Sequence, residues 1–212
     1  MAGSNESMPD DPLAAAGRRT EVALAALRVF LARGYAGASM TAVAREAGIT
    51  KSSLYHHFRS KEEMFVAALA ADVARPLDAL GALEGRTDLA PDVRWREALG
   101  LAHDAFGGQS MGTLATVIAE TGRSIPAVAR SFHEKVILRF RGPTRAIYAA
   151  ATLAGTHRPL PDRTIDQIVF GPLLSNAMTE TMFAGTPDLA EANLAGTDRA
   201  AFVAMIDDLT TA

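Results

Sequence analysis

Thr50-Lys51-Ser52-Ser53 opens a stretch of eight residues that also holds Tyr55 and the pair His56-His57. Hydroxyls, a lysine and a tyrosine at the start of a helix donate hydrogen bonds to phosphates and base edges. Adjacent histidines suggest a metal pair, yet neighbours on a helix point about 100° apart and cannot easily share one ion. His103-Asp104 and His133-Glu134 have the residue types of general acid–base catalysis. Without a nucleophile beside them they read as polar groups of a helical pocket or surface. Gly107-Gly108 has no following Gly-Lys-Ser/Thr and no preceding strand, so it marks a helix break and not a phosphate cradle. The chain has no cysteine, which removes disulfides, thiolate zinc sites and cysteine nucleophiles together. No catalytic residue, metal or cofactor is expected.

The elements that must position the 50–57 stretch are helices. Val22, Leu24, Leu27, Phe30 and Leu31 recur at three and four residues until Gly34 stops them. Ser39 or Met40 precedes a short helix, Thr41–Ala47, ended by Gly48. Thr50 is a suitable N-cap for a second, Lys51–Phe58, and Ser60 caps a third from Lys61, with Glu63 completing a capping box. That third helix is expected to run to about Leu80, bending near Pro76. On the Lys51–Phe58 wheel Ser52, Tyr55 and His56 share one face, while Leu54, His57 and Phe58 turn inward. Two short helices joined by Gly48-Ile49-Thr50 make a helix-turn-helix, whose second helix enters the DNA major groove.

Further helices are predicted over 92–106, 110–121, 126–153 with a bend at Gly142-Pro143, 163–183 and 198–209. Residues 184–196 read as a loop. Strand signals are missing, so the fold class is all-α. Residues 1–17 carry no apolar periodicity and are expected to be a disordered arm.

The formal charge of −3 over 212 residues conceals a strong asymmetry. Residues 18–61 carry eight bases against two acids, while residues 62–212 carry 13 bases against 19 acids. A cationic module is attached to a larger anionic one, which fits a nucleic-acid partner for the first. At 49% apolar and 21% charged the composition is globular, and no apolar run could span a bilayer. Met1 to Pro12 lacks the basic start of a signal peptide. The expectation is a soluble, cytoplasmic chain with no membrane partner.

Ala47-Gly48-Ile49-Thr50-Lys51-Ser52-Ser53-Leu54-Tyr55-His56-His57-Phe58-Arg59-Ser60-Lys61-Glu62-Glu63, with Gly34-Tyr35 and Met40-Thr41 before it, resembles the signature of TetR-like (tetracycline-repressor family) transcription regulators. The resemblance covers about residues 18–65. Beyond it, Ile118-Ala119-Glu120 through Ala127-Val128-Ala129-Arg130-Ser131-Phe132 is similar to one subtype of the family's helical C-terminal domain. The resemblance implies a helix-turn-helix DNA-binding domain over 18–62, with an effector-binding and dimerisation domain over 63–212. It further implies a homodimer that represses transcription at a double-stranded inverted-repeat operator and releases it when a small molecule binds. Carried over by residue, Ser52, Ser53 and Tyr55 would contact base edges or flanking phosphates. Thr41, His56 and Lys61 would contact the backbone, and Lys51 could do either. Arg18 and Arg19 stand where many members carry a basic residue entering the first helix.

Trp95, Leu99, Phe106, Met111, Leu114, Phe132, Ile137, Phe140 and Tyr148 could line an effector cavity, with His103, Arg123 and His133 as polar anchors. A packed core shows the same apolar spacing. The resemblance places the dimer interface on the last two helices. Ile165, Ile168, Val169, Pro172, Leu173 and Asn176 form one face, and Phe202, Val203, Ile206 and Leu209 form the other. Two rival functions are a small all-helical enzyme using His103 or His133, and an orphan regulator without a ligand.

Overall fold

Strong helix formers in Leu13-Ala14-Ala15-Ala16 carry the first helix, α1 (Pro12–Gly37), six residues beyond its expected start at Arg18. Residues 12–17 are therefore helical, where an arm without structure was expected. The computed structural model describes residues 12–107, 109–183, 186 and 198–212, so the remainder of that expected arm, 1–11, lies outside the described residues. The chain divides into two compact units, Met1–Ala71 and Asp72–Ala212.

In the first unit α1 is regular as far as Gly34, whose φ of 66° turns the chain. α2 (Met40–Glu46), α3 (Lys51–His57) and α4 (Lys61–Asp72) follow. Phe30, Phe65 and Tyr35 form an aromatic cluster with ring centroids 4.8–5.9 Å apart. Val43, Leu54, Phe58 and Met64 are fully buried.

The helix expected to continue through Pro76 is interrupted at Val73 (φ −97°, ψ 6°), where α4 gives way to α5 (Ala74–Glu84). Pro76 has no N–H for the carbonyl of Asp72, and its ring would crowd that carbonyl. The break thus precedes the proline and does not sit on it.

The second unit continues with α6 (Pro91–Phe106), α7 (Gln109–Ser124) and α8 (Pro126–Phe132). A π-helical turn, His133–Ile137, joins α8 to α9 (Leu138–Leu153), so helical backbone runs unbroken over the predicted 126–153. α10 (Asp162–Met182) and α11 (Arg199–Thr210) complete it. Apart from Thr186, the predicted loop 184–196 lies outside the described residues. Pro143 and Pro172 lie inside α9 and α10, each directly after a glycine. Any other residue before proline would set its Cβ against the proline ring in a helical conformation.

Phe106, Phe140 and Phe170 meet with centroids 4.3–5.0 Å apart in the core of this unit. α7 and α10 come so close that a Cβ on Gly112 would lie 1.9 Å from the Ala177 carbonyl oxygen. At the other end Trp95 Nε1 donates to Thr210 Oγ1 (3.1 Å), and buried His157 pairs its Nε2 with Asp207 (3.1 Å). Among the described residues, the bridge between His157 and Thr211 is the only β pairing.

Candidate functional site

Capping determines how the helix-turn-helix presents its second helix. Ser39 Oγ accepts from Ala42 N (3.2 Å) at the start of α2, and Thr50 Oγ1 accepts from Ser53 N (3.1 Å) at the start of α3. Between them Gly48 N donates to Arg45 O (3.2 Å) and Ile49 N to Ala44 O (3.0 Å), with Gly48 at φ 65°. This is a Schellman stop, and its left-handed residue favours glycine. Leu54 and Phe58 are then 0% exposed, which leaves Lys51, Ser52, Tyr55 and His56 on the outer face of α3. Ser53 is half-buried beside the cap, and Thr41 is exposed on α2. His57 is half-buried with its ring beside Phe58 (6.4 Å), and its carbonyl accepts from Arg19 Nε of α1 (3.2 Å).

The cations of this unit fall into two groups. Arg18 is bound to Glu21 (2.7 Å) and Arg28 to Glu46 (2.8 Å). Arg19 is bound to Glu63 (2.8 Å) and lies 4.5 Å from the Phe58 ring centre. Lys61 reaches inward, with Nζ 3.4 Å from Ala36 O and 4.4 Å from the Tyr35 ring centre. Burial holds its pKa below the ordinary lysine value, against an opposing pull from Glu62. Arg33, Arg45, Lys51 and Arg59 are exposed and form no ion pair among the described residues. The α4 start is braced separately: Ser60 Oγ accepts from Glu63 N (3.1 Å) and the Glu63 carboxylate from Arg59 N (3.0 Å). The reciprocal bond thus falls one residue earlier than in the usual capping box.

In the second unit a cavity of about 250 Å³ is lined by Phe106, Met111, Ala115, Ile118, Ala119, Phe132, Ile137, Phe170 and Leu174. Every lining residue is apolar. Phe132 and Ile137 would lie about 140° apart on an α-helix, but the wider π turn between them brings both to the cavity. Its i→i−5 bond is Leu138 N to His133 O.

Residues 24–68 match the family profile described as bacterial regulatory proteins, tetR family. The match lies within the first unit. It is 32% identical over 118 residues to the HTH-type transcriptional regulator UidR of Escherichia coli K12, an alignment covering 55% of this chain and 58% of UidR. The chain therefore spans little more than half the length of that relative. The activator FasR and the repressor KstR2, both of Mycolicibacterium smegmatis, are each 45% identical over 56 residues. Those matches cover 26% of this chain, with 26% of FasR and 27% of KstR2. Similar folds over most of the chain occur in solved structures. FadR of Bacillus subtilis in complex with stearoyl-CoA superposes with a TM-score of 0.67 at 14% identity, covering 88% of this chain and 96% of its own. The ketosteroid regulator KstR2 of Mycobacterium tuberculosis gives 0.60 at 20% identity, covering 100% and 98%.

In the second unit the other expected lining residues lie elsewhere. The Trp95 and Tyr148 rings meet at a tilt of 57° (centroids 4.8 Å apart) beside His157, held by the C-terminal tail. Leu99, Leu114 and Phe140 are packed core at 0–1% exposure. His103 lies against Phe202 (5.7 Å) and 3.9 Å from Asp104, while Arg123 and His133 are exposed. None of these three lines the cavity, because it opens among α7, α8 and α10 at the Phe106 end of α6. Sequence reasoning missed Ala115, Ile118, Ala119, Phe170 and Leu174. The small pair Ala115/Ala119, one turn apart on α7, is the signal that could have located the space.

The expected dimer residues fall into three sets, buried, half-buried and, for Leu209, exposed. Ile165, Val169, Leu173, Phe202 and Ile206 are 0–1% exposed, packed in the core of this one chain. Ile168, Pro172, Asn176 and Val203 are half-buried. On the opposite face of α10 Leu174, Met178 and Met182 are exposed, as are Met205 and Leu209 on α11. Among the described residues no helix is long and apolar enough to cross a membrane, and no group of three His, Cys, Asp or Glu could hold a metal ion.

Proposed function

We propose that this chain is a ligand-responsive transcriptional repressor that binds an inverted-repeat DNA operator as a homodimer in the cytoplasm. The observation that carries the reading is the TetR-family match over residues 24–68, coinciding with a capped helix whose exposed face is Lys51, Ser52, Tyr55 and His56. Ser52 and Tyr55 read base edges. Thr41, Ser53 and His56, with the unpaired cations Arg33, Arg45, Lys51 and Arg59, hold phosphates. Arg18, Arg19 and Lys61 serve the domain internally through the contacts above. FasR is an activator and KstR2 a repressor at the same identity, so the helix-turn-helix does not set the sign of regulation. Repression follows where the operator overlaps a promoter. The apolar cavity favours a liganded regulator over an orphan one, and the ligand must bind the DNA-incompetent state more tightly to release the operator.

Fluorescence anisotropy with DNA from upstream of the chain's own coding sequence tests the reading. Tight binding that prefers one inverted repeat and weakens steeply between 50 and 200 mM salt, by about 10³-fold or more, is the expected result. Affinity independent of salt would overturn it.

A further inference from the structure

Beside the apolar cavity lies a second, more open one of about 450 Å³ lined by Arg141, Arg163, Asp166, Gln167, Phe170, Gly171 and Leu174, and the two share Phe170 and Leu174. Both helices that run between them change character in one turn. On one, Ile137 in the apolar space is followed four residues later by Arg141 at the mouth. On α10, Leu174 and Phe170 are followed in the other direction by Gln167 and Arg163.

The charges at the mouth do not cancel. Asp166 is bound by Arg145, which also holds Asp162 (3.2 Å). Arg141 Nε lies 3.1 Å from Asp166 Oδ2, yet is buried without a well-directed hydrogen bond. Arg163 is exposed and forms no ion pair among the described residues. Two carboxylates thus stand among three guanidiniums, which leaves the mouth net positive, and the Arg141 side chain is 37% exposed beside exposed Arg163. Guanidinium N–H groups presented this way bind a carboxylate through charge-assisted hydrogen bonds.

We infer that the effector is an anionic amphiphile. Its unbranched apolar chain fills the space between Phe106, Ile118, Phe132 and Phe170, and its carboxylate or other single-anion head sits between Arg141 and Arg163. The apolar space has room for about eight water- or methylene-sized groups at ~30 Å³ each, the bulk of a medium-length chain. This inference rests on reading the cavity as the effector site.

Calorimetric titration of the full chain with decanoate, decanol, decyltrimethylammonium and acetate, all below micellar concentration, tests it. Decanoate binds and acetate does not. Decanol, with the same chain and no charge, binds roughly ten- to a hundredfold more weakly, the worth of charge-assisted hydrogen bonds. Arg163→Gln weakens decanoate and leaves decanol unchanged, while Ala115→Phe, which fills the space, removes both. Decanol binding as well as decanoate, the cation binding better than either, or no binding of any chain would overturn the inference. Operator binding by the same samples keeps the two readings apart. DNA bound and released by none of these compounds defeats the amphiphile alone. Decanoate bound by a protein that holds no DNA defeats the repressor reading alone.

Discussion

Lys61 and Lys51 belong to one sequence signature, but their side chains do opposite work. Lys61 spends its charge on the Tyr35 ring and the Ala36 carbonyl, whereas Lys51 is exposed at the start of α3. Lys51→Ala should therefore lower the slope of log affinity against log salt by about one. Lys61→Ala should leave that slope unchanged and instead cost about 0.5–1 kcal/mol of stability, the worth of a partly exposed cation–π contact. Salt titrations of operator binding, with urea melts of both variants, check the pair. Tyr55 is 47% exposed beside fully buried Leu54, so removing its ring leaves the core intact. Tyr55→Ala should weaken operator binding by about 1–3 kcal/mol in a gel-shift titration, without a change in melting temperature.

At the scale of elements, caps and close approaches decide what a helix tolerates. Glu62, in the first turn of α4, has its carboxyl held below the ordinary range. Its own backbone amide is the main cause, followed by the Ser60 hydroxyl, and Tyr35 Oη also donates to it (2.9 Å). A carboxyl depressed in the folded state contributes stability that is fully present above its unfolded value of about 4.3. That contribution is lost as pH falls through the lower folded value. Glu62→Gln should therefore be less stable than the parent at pH 7, with the difference shrinking below about pH 4 in chemical denaturation. The glycines of α5 and α7 give the opposite pair. A Cβ on Gly81 meets nothing within 4 Å, so Gly81→Ala should stabilise by about 0.5–1 kcal/mol. Gly112→Ala drives its Cβ into the Ala177 carbonyl of α10 and should cost about 3 kcal/mol. Thermal melts distinguish the two signs.

For the whole molecule, the formal charge of −3 says little about a partner, because association follows the local field of an exposed cluster more than the sum. Four of the eight bases in residues 18–61 are committed to contacts inside the domain, and the field comes from Arg33, Arg45, Lys51 and Arg59. The same distinction between buried and presented faces governs assembly. For the homodimer proposed above, the exposed side of α10, where Met178 and Met182 lie, is the candidate interface. Met178→Glu should give a folded monomer in sedimentation velocity, with operator affinity lost. Val169→Glu should unfold the second unit instead, because it buries an unpaired charge and costs more than about 3 kcal/mol. A Met178→Glu protein that still sediments as a dimer would move the interface to another face.

Signals carried by a few neighbouring residues were legible without the fold. Thr50 and Ser60 as caps, Gly34 and Gly48 as stops, and the inward Leu54 and Phe58 of α3 all follow from local backbone chemistry, while the choice between Ser39 and Met40 before α2 fell to Ser39 only in the structure. The helix-turn-helix was readable for that reason. Long-range partners were not. An apolar period of three to four residues marks the side of a helix that needs cover, but it does not say what covers it. The Ile165–Val169–Leu173 stripe thus read as an interface and is core, and Trp95 and Tyr148 read as cavity lining and belong to the C-terminal clamp. Which of Arg19, Lys61, Arg45 and Lys51 remains available to a partner depended on Glu63, Tyr35 and Ala36 arriving from elsewhere in the chain. Tertiary structure alone decided that, because a charge is spent or kept according to its neighbours in space.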